Sequence, residues 1–180
     1  ELKDKANQQI DDLKDLTDLE NKDFKEMINQ LLEPTDENLA ELKKILKDAQ
    51  MQDEMNRVQK QLDAAKEEAK KKIADMNYLT NKDELNRQID AAVNGDEVSE
   101  IWSNAVIENE RLRQENDLKK LKEESIKQID ALTNVSQDAK DAAKQIVQDS
   151  LDAKTINDQV IALKDLDTQI GNKKIEANKT

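Results

Sequence analysis

The sequence contains no cysteine and no histidine. Without cysteine there can be no disulfide and no thiol chemistry. Without histidine, the usual zinc sites, histidine-based acid–base pairs and Ser-His or Cys-His nucleophile systems cannot be assembled. We therefore expect no enzyme activity and no bound metal or cofactor.

Aromatic and turn-forming residues are also scarce, with one Phe, one Tyr, one Trp, two Gly and one Pro in 180 residues. The interior of a large globular domain normally needs more aromatic residues and glycine-rich turns. Leu, Ile, Ala and Val supply the apolar content, and Lys, Glu, Asp, Gln and Asn fill most of the rest. This composition is typical of exposed helices, so it predicts an all-α protein with thin cores.

The chain is acidic, with 41 acidic and 29 basic residues and a formal net charge of −12. Anionic partners are repelled on average, so neither nucleic-acid nor acidic-membrane binding is expected. The longest basic run, residues 70–72, lies among Glu67, Glu68 and Asp75, which is typical of a solvated helix face. Apolar runs are shorter than the roughly 20 residues of a membrane span, so no membrane insertion is predicted. Glu1 is not an initiator methionine, and we expect a fragment of a longer protein.

The frame apolar-x-x-apolar-x-x-Leu-Thr occurs three times, at residues 10–17, 73–80 and 126–133. A threonine hydroxyl after an apolar helix face can accept the unpaired amide hydrogens of a new first turn. Each copy is therefore predicted to close one helix and open the next. The pairs Thr17/Glu20 and Asn81/Glu84 have capping-box spacing, and Ser136 or Asn134 could serve in the third copy.

A short amphipathic helix is predicted after each copy, over residues 20–33, 81–93 and 136–151. These helices end at a second set of breaks, at residues 34–36, 94–96 and 154–155. Gly95 suits a helix end, Pro34 is tolerated in a first turn, and Thr155 has capping-box spacing to Asp158. The predicted inward positions are Phe24, Ile28, Leu31, Leu85, Ile89, Ala92, Ala139, Ala143 and Ile146.

Apolar stripes resume after those breaks, at Leu39, Leu42, Ile45, Leu46; Val98, Ile101, Trp102, Ala105; and Ile156, Val160, Leu163, Leu166, Ile170. No breaker interrupts residues 36–77 or 97–130, so the third helix of one unit should continue as the first helix of the next. The stripes thin at residues 47–61 and 108–117, which mark the junctions. The sequence thus predicts tandem three-helix bundles at residues 1–50, 58–110 and 117–175. Long continuous helices join them into an elongated, monomeric rod of about 90 Å or more.

Paired carboxylates such as Glu67/Glu68 and Asp11/Asp12 are abundant, but exposed helix faces lack the apolar pocket that raises a catalytic pKa. Solvation explains them better than catalysis. The carboxylates and hydroxyl of Asp15, Thr17, Asp18 and Glu20 loosely match calcium-loop spacing. That stretch lacks the central glycine, and a helix start explains it better.

Trp102 is the residue with the largest potential contribution to binding, because tryptophan dominates many interfaces. Its place in an apolar stripe favours burial instead, against Tyr78 or Leu85.

Two stretches resemble a known family: "AAKEEAKKKIADMNYLTNKDELNRQIDAAVNGDEVSEIWSNAV" (residues 64–106) and "AKTINDQVIALKDLDTQI" (residues 153–170). The first is similar to an entire albumin-binding GA module, a three-helix bundle of Gram-positive surface proteins. The second is similar to the last helix of such a module. Similar units form the helical stalks of streptococcal surface adhesins, including those of group B streptococci. The resemblance implies binding to host complement regulators and epithelial attachment.

For GA modules that bind albumin, the resemblance implies an aromatic and apolar patch on the second helix. Residues 82–88 of the corresponding helix read KDELNRQ and contain no aromatic residue. Albumin is therefore not the expected partner, and another plasma or matrix protein is.

Two functions remain open. The first is a non-enzymatic segment of a bacterial cell-surface adhesin, wall-anchored through regions outside this sequence, that projects or presents a surface to a host protein. The alternative is an intracellular spectrin-like or coiled-coil spacer. Spectrin-type units are about twice as long, and a coiled coil needs sustained heptads that this chain interrupts.

Overall fold

The computed structural model describes residues 1–179, which form seven α-helices and no strand. The all-helical prediction is therefore confirmed. The helices are α1 (Leu2–Asp11), α2 (Asp18–Gln30), α3 (Asp36–Ala74), α4 (Lys82–Ala91), α5 (Gly95–Asp130), α6 (Gln137–Asp149) and α7 (Ala153–Asn178). No helix among the described residues is both long and apolar enough to cross a membrane.

The helices fall into two compact units. Unit 1 contains residues 1–75 and 81–104, and unit 2 contains residues 76–80 and the described residues from 105 onward. The predicted long helices are present as α3 and α5, each unbroken over more than thirty residues.

The first core of unit 1 lies where α1, α2 and the beginning of α3 pack on one another. Each helix contributes a stripe of aliphatic side chains at helical spacing, which the sequence pattern predicted. Its buried members are Ala6, Ile10, Ile28, Leu42, Ile45 and Ala49. Phe24 packs against this core from α2.

The remaining buried side chains of unit 1 lie on the last turns of α3, on α4 and its C-cap, and on the first turns of α5. They are Ala69, Ile73, Leu85, Ile89, Ala92 and Val98. Among the described residues, α4 packs on α3.

The core of unit 2 is built by the end of α5, α6 and α7. Its buried members are Ile129, Val135, Ala143, Val147, Ile156, Val160 and Leu163. One inward position was predicted wrongly, because Val147 is fully buried whereas Ile146 is exposed. Helical spacing alone does not decide whether Ile146 or its neighbour Val147 faces the core. In the structure Val147 is the buried one, in a cluster with residues of α7.

The third copy of the repeated frame lies one helical turn later than predicted. Ile10 and Ile73 are fully buried, and the residue buried in the same way in unit 2 is Ile129, with Ile126 only partly buried. The cap follows the same register, since Ser136 accepts a hydrogen bond from the Ala139 N–H at 3.2 Å. The equivalent stretch is therefore 129–136, and Thr133 does not open α6.

Capping confirms part of the sequence prediction. Thr17 and Glu20 form the predicted reciprocal capping box at α2, and Ser136, one of the two candidates, caps α6. Thr35, which was not predicted as a cap, caps α3 through the Asn38 N–H. Two predicted caps are wrong: the Asn81 side chain makes no capping bond at α4, and Thr155 is itself capped by Asp152. In α7 the helix begins two residues before Thr155, so Thr155 lies inside its first turn.

Gly95 was predicted to end a helix, and this prediction is also wrong. It is the first residue of α5. None of the described residues, glycines included, has a positive φ, so Gly95 makes no use of its left-handed freedom.

Candidate functional site

A strongly exposed aliphatic side chain follows each short helix. Leu32 is 84% exposed after α2, Val93 72% after α4, and Leu151 89% after α6. All three residues follow a C-cap residue with extended backbone, where side chains alternate between opposite sides. Because the caps Leu31, Ala92 and Ser150 turn toward the interior, the next side chain is directed to solvent.

The short helices themselves differ in what they expose. Met27 in α2 and Ile146 in α6 are 43% and 42% exposed, each five residues before the exposed leucine of its loop. The corresponding residue of α4 is the polar Gln88. Exposed aliphatic surface is therefore larger at α2 and α6 than at α4.

An open groove of about 340 Å³ lies beside Leu32 in unit 1. Its apolar wall is formed by the start of α1, the loop after α2 and the start of α3, and Glu1, Asp4 and Glu33 carry its negative charges. The apolar residues are Leu2, Leu31, Leu32, Pro34, Leu39 and Leu42.

Unit 2 has a groove of about 460 Å³ at the corresponding place. Leu118, Leu121 and Leu151 form its apolar wall, and Arg111, Glu115 and Asp117 are among its polar residues. The register is the same in both, since Leu121 precedes Ile129 by as many residues as Leu2 precedes Ile10. The repeated loop leucine and the groove beside it are thus one feature that occurs twice.

Trp102 is only partly buried, which corrects the prediction of a core residue. It lines a shallow groove of about 180 Å³ between α3 and α5, together with Ala65, Ala69 and Val98. The Lys72 ammonium lies 4.8 Å from the centre of its ring. Neither Tyr78 nor Leu85 lines this groove.

The indole nitrogen of Trp102 is buried and has no hydrogen-bond partner among the described residues. Lys72 is held above the ring by Glu68, whose carboxylate lies 2.7 Å from the Lys72 nitrogen. This hydrogen bond, together with the positive charge of Lys72, lowers the pKa of Glu68. Glu68 and Lys72, which the sequence predicted to lie on a solvated helix face, therefore lie against Trp102.

Polar side chains on three long helices hold the turns that precede the short helices. Asp53 accepts hydrogen bonds from the backbone N–H groups of Asp15 and Leu16 at 2.6 and 3.1 Å. In the corresponding places, Asn109 accepts from Tyr78 and Asp167 from Asn134 and Val135. Sequence reasoning missed these residues, although each stands four positions after an apolar stripe residue.

The carboxylates proposed for a loose calcium pattern have other partners. The Asp15 carboxylate lies 2.9 Å from the Lys60 nitrogen. Glu20 accepts hydrogen bonds from the Thr17 N–H and from Asn56, and the Thr17 bond above all lowers the pKa of Glu20. Helix capping explains this stretch, as the spacing indicated.

The weakly apolar stretch 108–117 of α5 is covered with ion pairs. Arg111 pairs with Glu108 and Glu115, and Arg113 with Glu110 and Asp117, at helical i,i+3 and i,i+4 spacing. The Arg113 hydrogen bond, supported by Gln114, lowers the pKa of Glu110 to about 2. Such pairs support an exposed helix where no apolar core is available.

The model of the GA module family matches residues 1–55 and again residues 59–107, together more than half of the sequence. The chain belongs to the GA module family. GA modules are non-enzymatic protein-binding domains of an albumin-binding, bacterial-surface type. No curated protein and no solved structure gives a significant match to this chain.

The two GA matches cover most of the features described for unit 1. The first includes α1, α2, Leu32 and Asp53, and the second includes α4, Val93 and Trp102. Unit 2 lies mostly beyond the matched residues, yet it repeats the buried isoleucine, the cap, the turn-holding carboxylate and the exposed loop leucine of the first GA module.

Proposed function

We propose that this chain is a segment of a bacterial surface adhesin that binds a host protein through repeated, exposed aliphatic loop residues. The observation that carries the proposal is the recurrence of Leu32, Val93 and Leu151 at one structural position, the residue after the C-cap of a short helix, where each is more than 70% exposed. Membership of a protein-binding family supports it.

The proposed binding surface combines each loop residue with its neighbours. At α2 it comprises Met27, Leu32 and the groove beside Leu32, and at α6 it comprises Ile146, Leu151 and the second groove. An apolar centre with a charged rim is the composition of many protein interfaces. Val93, next to the polar α4, offers a smaller patch and is expected to contribute less.

The proposed partner is a plasma or matrix protein such as a complement regulator. Albumin is disfavoured for the second GA module, because α4 displays Gln88 and no exposed large apolar side chain. The net charge of −12 favours a partner with a basic rim around an apolar contact.

A pull-down from human plasma with the immobilised full chain tests the proposal. The variant L32E/V93E/L151E places three carboxylates in the proposed surface and should lose the captured protein. The control M55E/I107E/I175E adds the same charge at three other exposed aliphatic positions and should retain it. Equal capture by both variants would overturn the loop residues as the binding surface, and no specific capture by the native chain would overturn the binding function.

The proposed architecture is a row of three bundles, at residues 1–50, 58–110 and 117–175, that projects from the bacterial cell wall as a rod. The unbroken α3 and α5 support it, because each runs without a break through one of the two predicted junctions. Small-angle X-ray scattering should show an elongated monomer. A compact particle would contradict the rod.

The second candidate function is an intracellular spacer, and the ion pairs at residues 108–117 favour it. A spacer needs a stiff exposed helix and no binding surface. In that case the native chain, L32E/V93E/L151E and M55E/I107E/I175E would all fail to capture a plasma protein.

A further inference from the structure

Asn94 and Gly95 stand at the start of α5 in an unusual chemical setting. Both residues are exposed, and a side chain placed at Gly95 would meet no atom within 4 Å. The Asn94 side-chain oxygen accepts a hydrogen bond from the Glu97 N–H at 2.9 Å. The Glu97 carboxylate accepts from the Val93 N–H at 2.9 Å, one residue before the cap, and so holds the turn that leads into α5.

This cap polarises the Asn94 carboxamide. A helix N-terminus carries partial positive charge, and a backbone N–H aimed at a carbonyl oxygen stabilises negative charge that develops on it. Gly95 is the first residue of α5, so its own N–H has no acceptor within the helix. Glycine also lacks the side chain that would crowd its nitrogen during an attack on the neighbouring residue.

We propose that Asn94–Gly95 is a site of spontaneous, age-dependent modification through a succinimide. The Gly95 nitrogen loses its proton to solvent base and forms a bond to the Asn94 Cγ. The Cγ–Nδ2 bond then breaks, and the departing NH2 group takes a proton from solvent and leaves as ammonia. Water then adds to one of the two ring carbonyls and opens the ring. The products are aspartate or isoaspartate at position 94, each with one more negative charge.

The two products affect α5 differently. Aspartate keeps the cap, as the Asp152 carboxylate shows at the start of α7, where it accepts from the Thr155 N–H at 2.7 Å. Isoaspartate lengthens the main chain by one methylene and displaces the cap oxygen. The buried Val98 lies in the next turn, so isoaspartate loosens the α4–α5 end of unit 1.

The test is incubation of the full chain in warm, mildly alkaline buffer, followed by peptide mapping and isoaspartyl methyltransferase labelling. We expect release of ammonia, a one-charge acidic shift on ion exchange, and methyl acceptance confined to the peptide with residue 94. Asn104, exposed inside α5 and followed by Ala105, is the internal control and should stay unmodified.

The matched variant is G95A. Its methyl group fits in open space and alanine favours the helix, so it should fold, while the methyl group hinders the attack. Aged native chain should melt at a lower temperature than aged G95A. Equal modification in both chains, or an unmodified Asn94 in the native chain, would overturn the site. Modification with an unchanged melting temperature would overturn its effect on α5.

Discussion

The Oδ1 atom of Asp167 in α7 lies 2.6 Å from the backbone nitrogen of Asn134, in the turn before α6. Burial raises the pKa of Asp167, but the hydrogen bonds from the Asn134 and Val135 N–H groups outweigh burial, and its pKa lies below the ordinary 3.8. A carboxylate far along the chain therefore fixes the turn that sets the entry into α6.

The hydrogen bonds from the turn to the Asp167 carboxylate predict that the protein loses stability in acid. Because folding lowers the pKa of Asp167, its ionised carboxylate stabilises the folded chain at pH values above the pKa of an unfolded aspartate. This stabilisation is lost below about pH 4, as the pH falls through the pKa of Asp167 in the folded chain. D167N mimics the protonated form, so the native chain should lose more melting temperature between about pH 5 and pH 2 than D167N does. Parallel curves for the two chains would show that this carboxylate is not linked to folding.

Thr17 and Thr80 occupy the same position in the repeated sequence frame, but alanine substitutions at the two are expected to change stability by different amounts. T17A removes the hydroxyl that accepts from the Glu20 N–H, so it should lower the free energy of unfolding by about 1 kcal/mol. T80A, at the second copy of the frame, should change stability much less, because α4 begins after Asn81 without a side-chain cap. Urea denaturation of both variants measures the difference, and equal losses would count against the assigned caps.

The register of the third copy can be measured directly. I129A removes a fully buried side chain and should cost about 2–5 kcal/mol, like other large-to-small core changes. I126A, one turn earlier, removes a partly buried side chain and should cost clearly less. A larger loss for I126A in denaturant unfolding would restore the register predicted from sequence.

Trp102 should contribute less stability than a core tryptophan. W102A is expected to cost less than the about 3–5 kcal/mol typical of a buried aromatic residue, because the ring is partly exposed. W102F removes the unpartnered indole N–H and keeps an aromatic ring under Lys72, so its stability should stay close to that of the native chain. Thermal and urea unfolding of both variants tests this; a loss in W102F as large as that in W102A would contradict it.

Much of the fold follows from local sequence signals. The scarcity of aromatic residues, together with apolar residues at helical spacing, predicts thin helical cores, and the long uninterrupted stretches predict α3 and α5. Thr17 could be recognised as a cap, and Ser136 as one of two candidates, because capping depends on neighbours only three residues away.

The candidate binding surface was harder to see. Leu32, Val93 and Leu151 stand beside equally apolar or small residues, and a pattern of residue types does not show which of two neighbours faces solvent. The exposed position follows from the extended backbone of the preceding cap residue, whose own side chain is turned toward the interior.

The sequence by itself determined the all-helical class, the two long helices and most inward stripes, because helical periodicity and capping are local. Only the tertiary structure decided the register at Ile129, the choice of Val147 over Ile146, the partial exposure of Trp102 and the turn-holding role of Asp53 and Asp167. Each of these depends on contacts between different helices, or between a helix and a distant turn, where close packing selects one of several locally equivalent side chains.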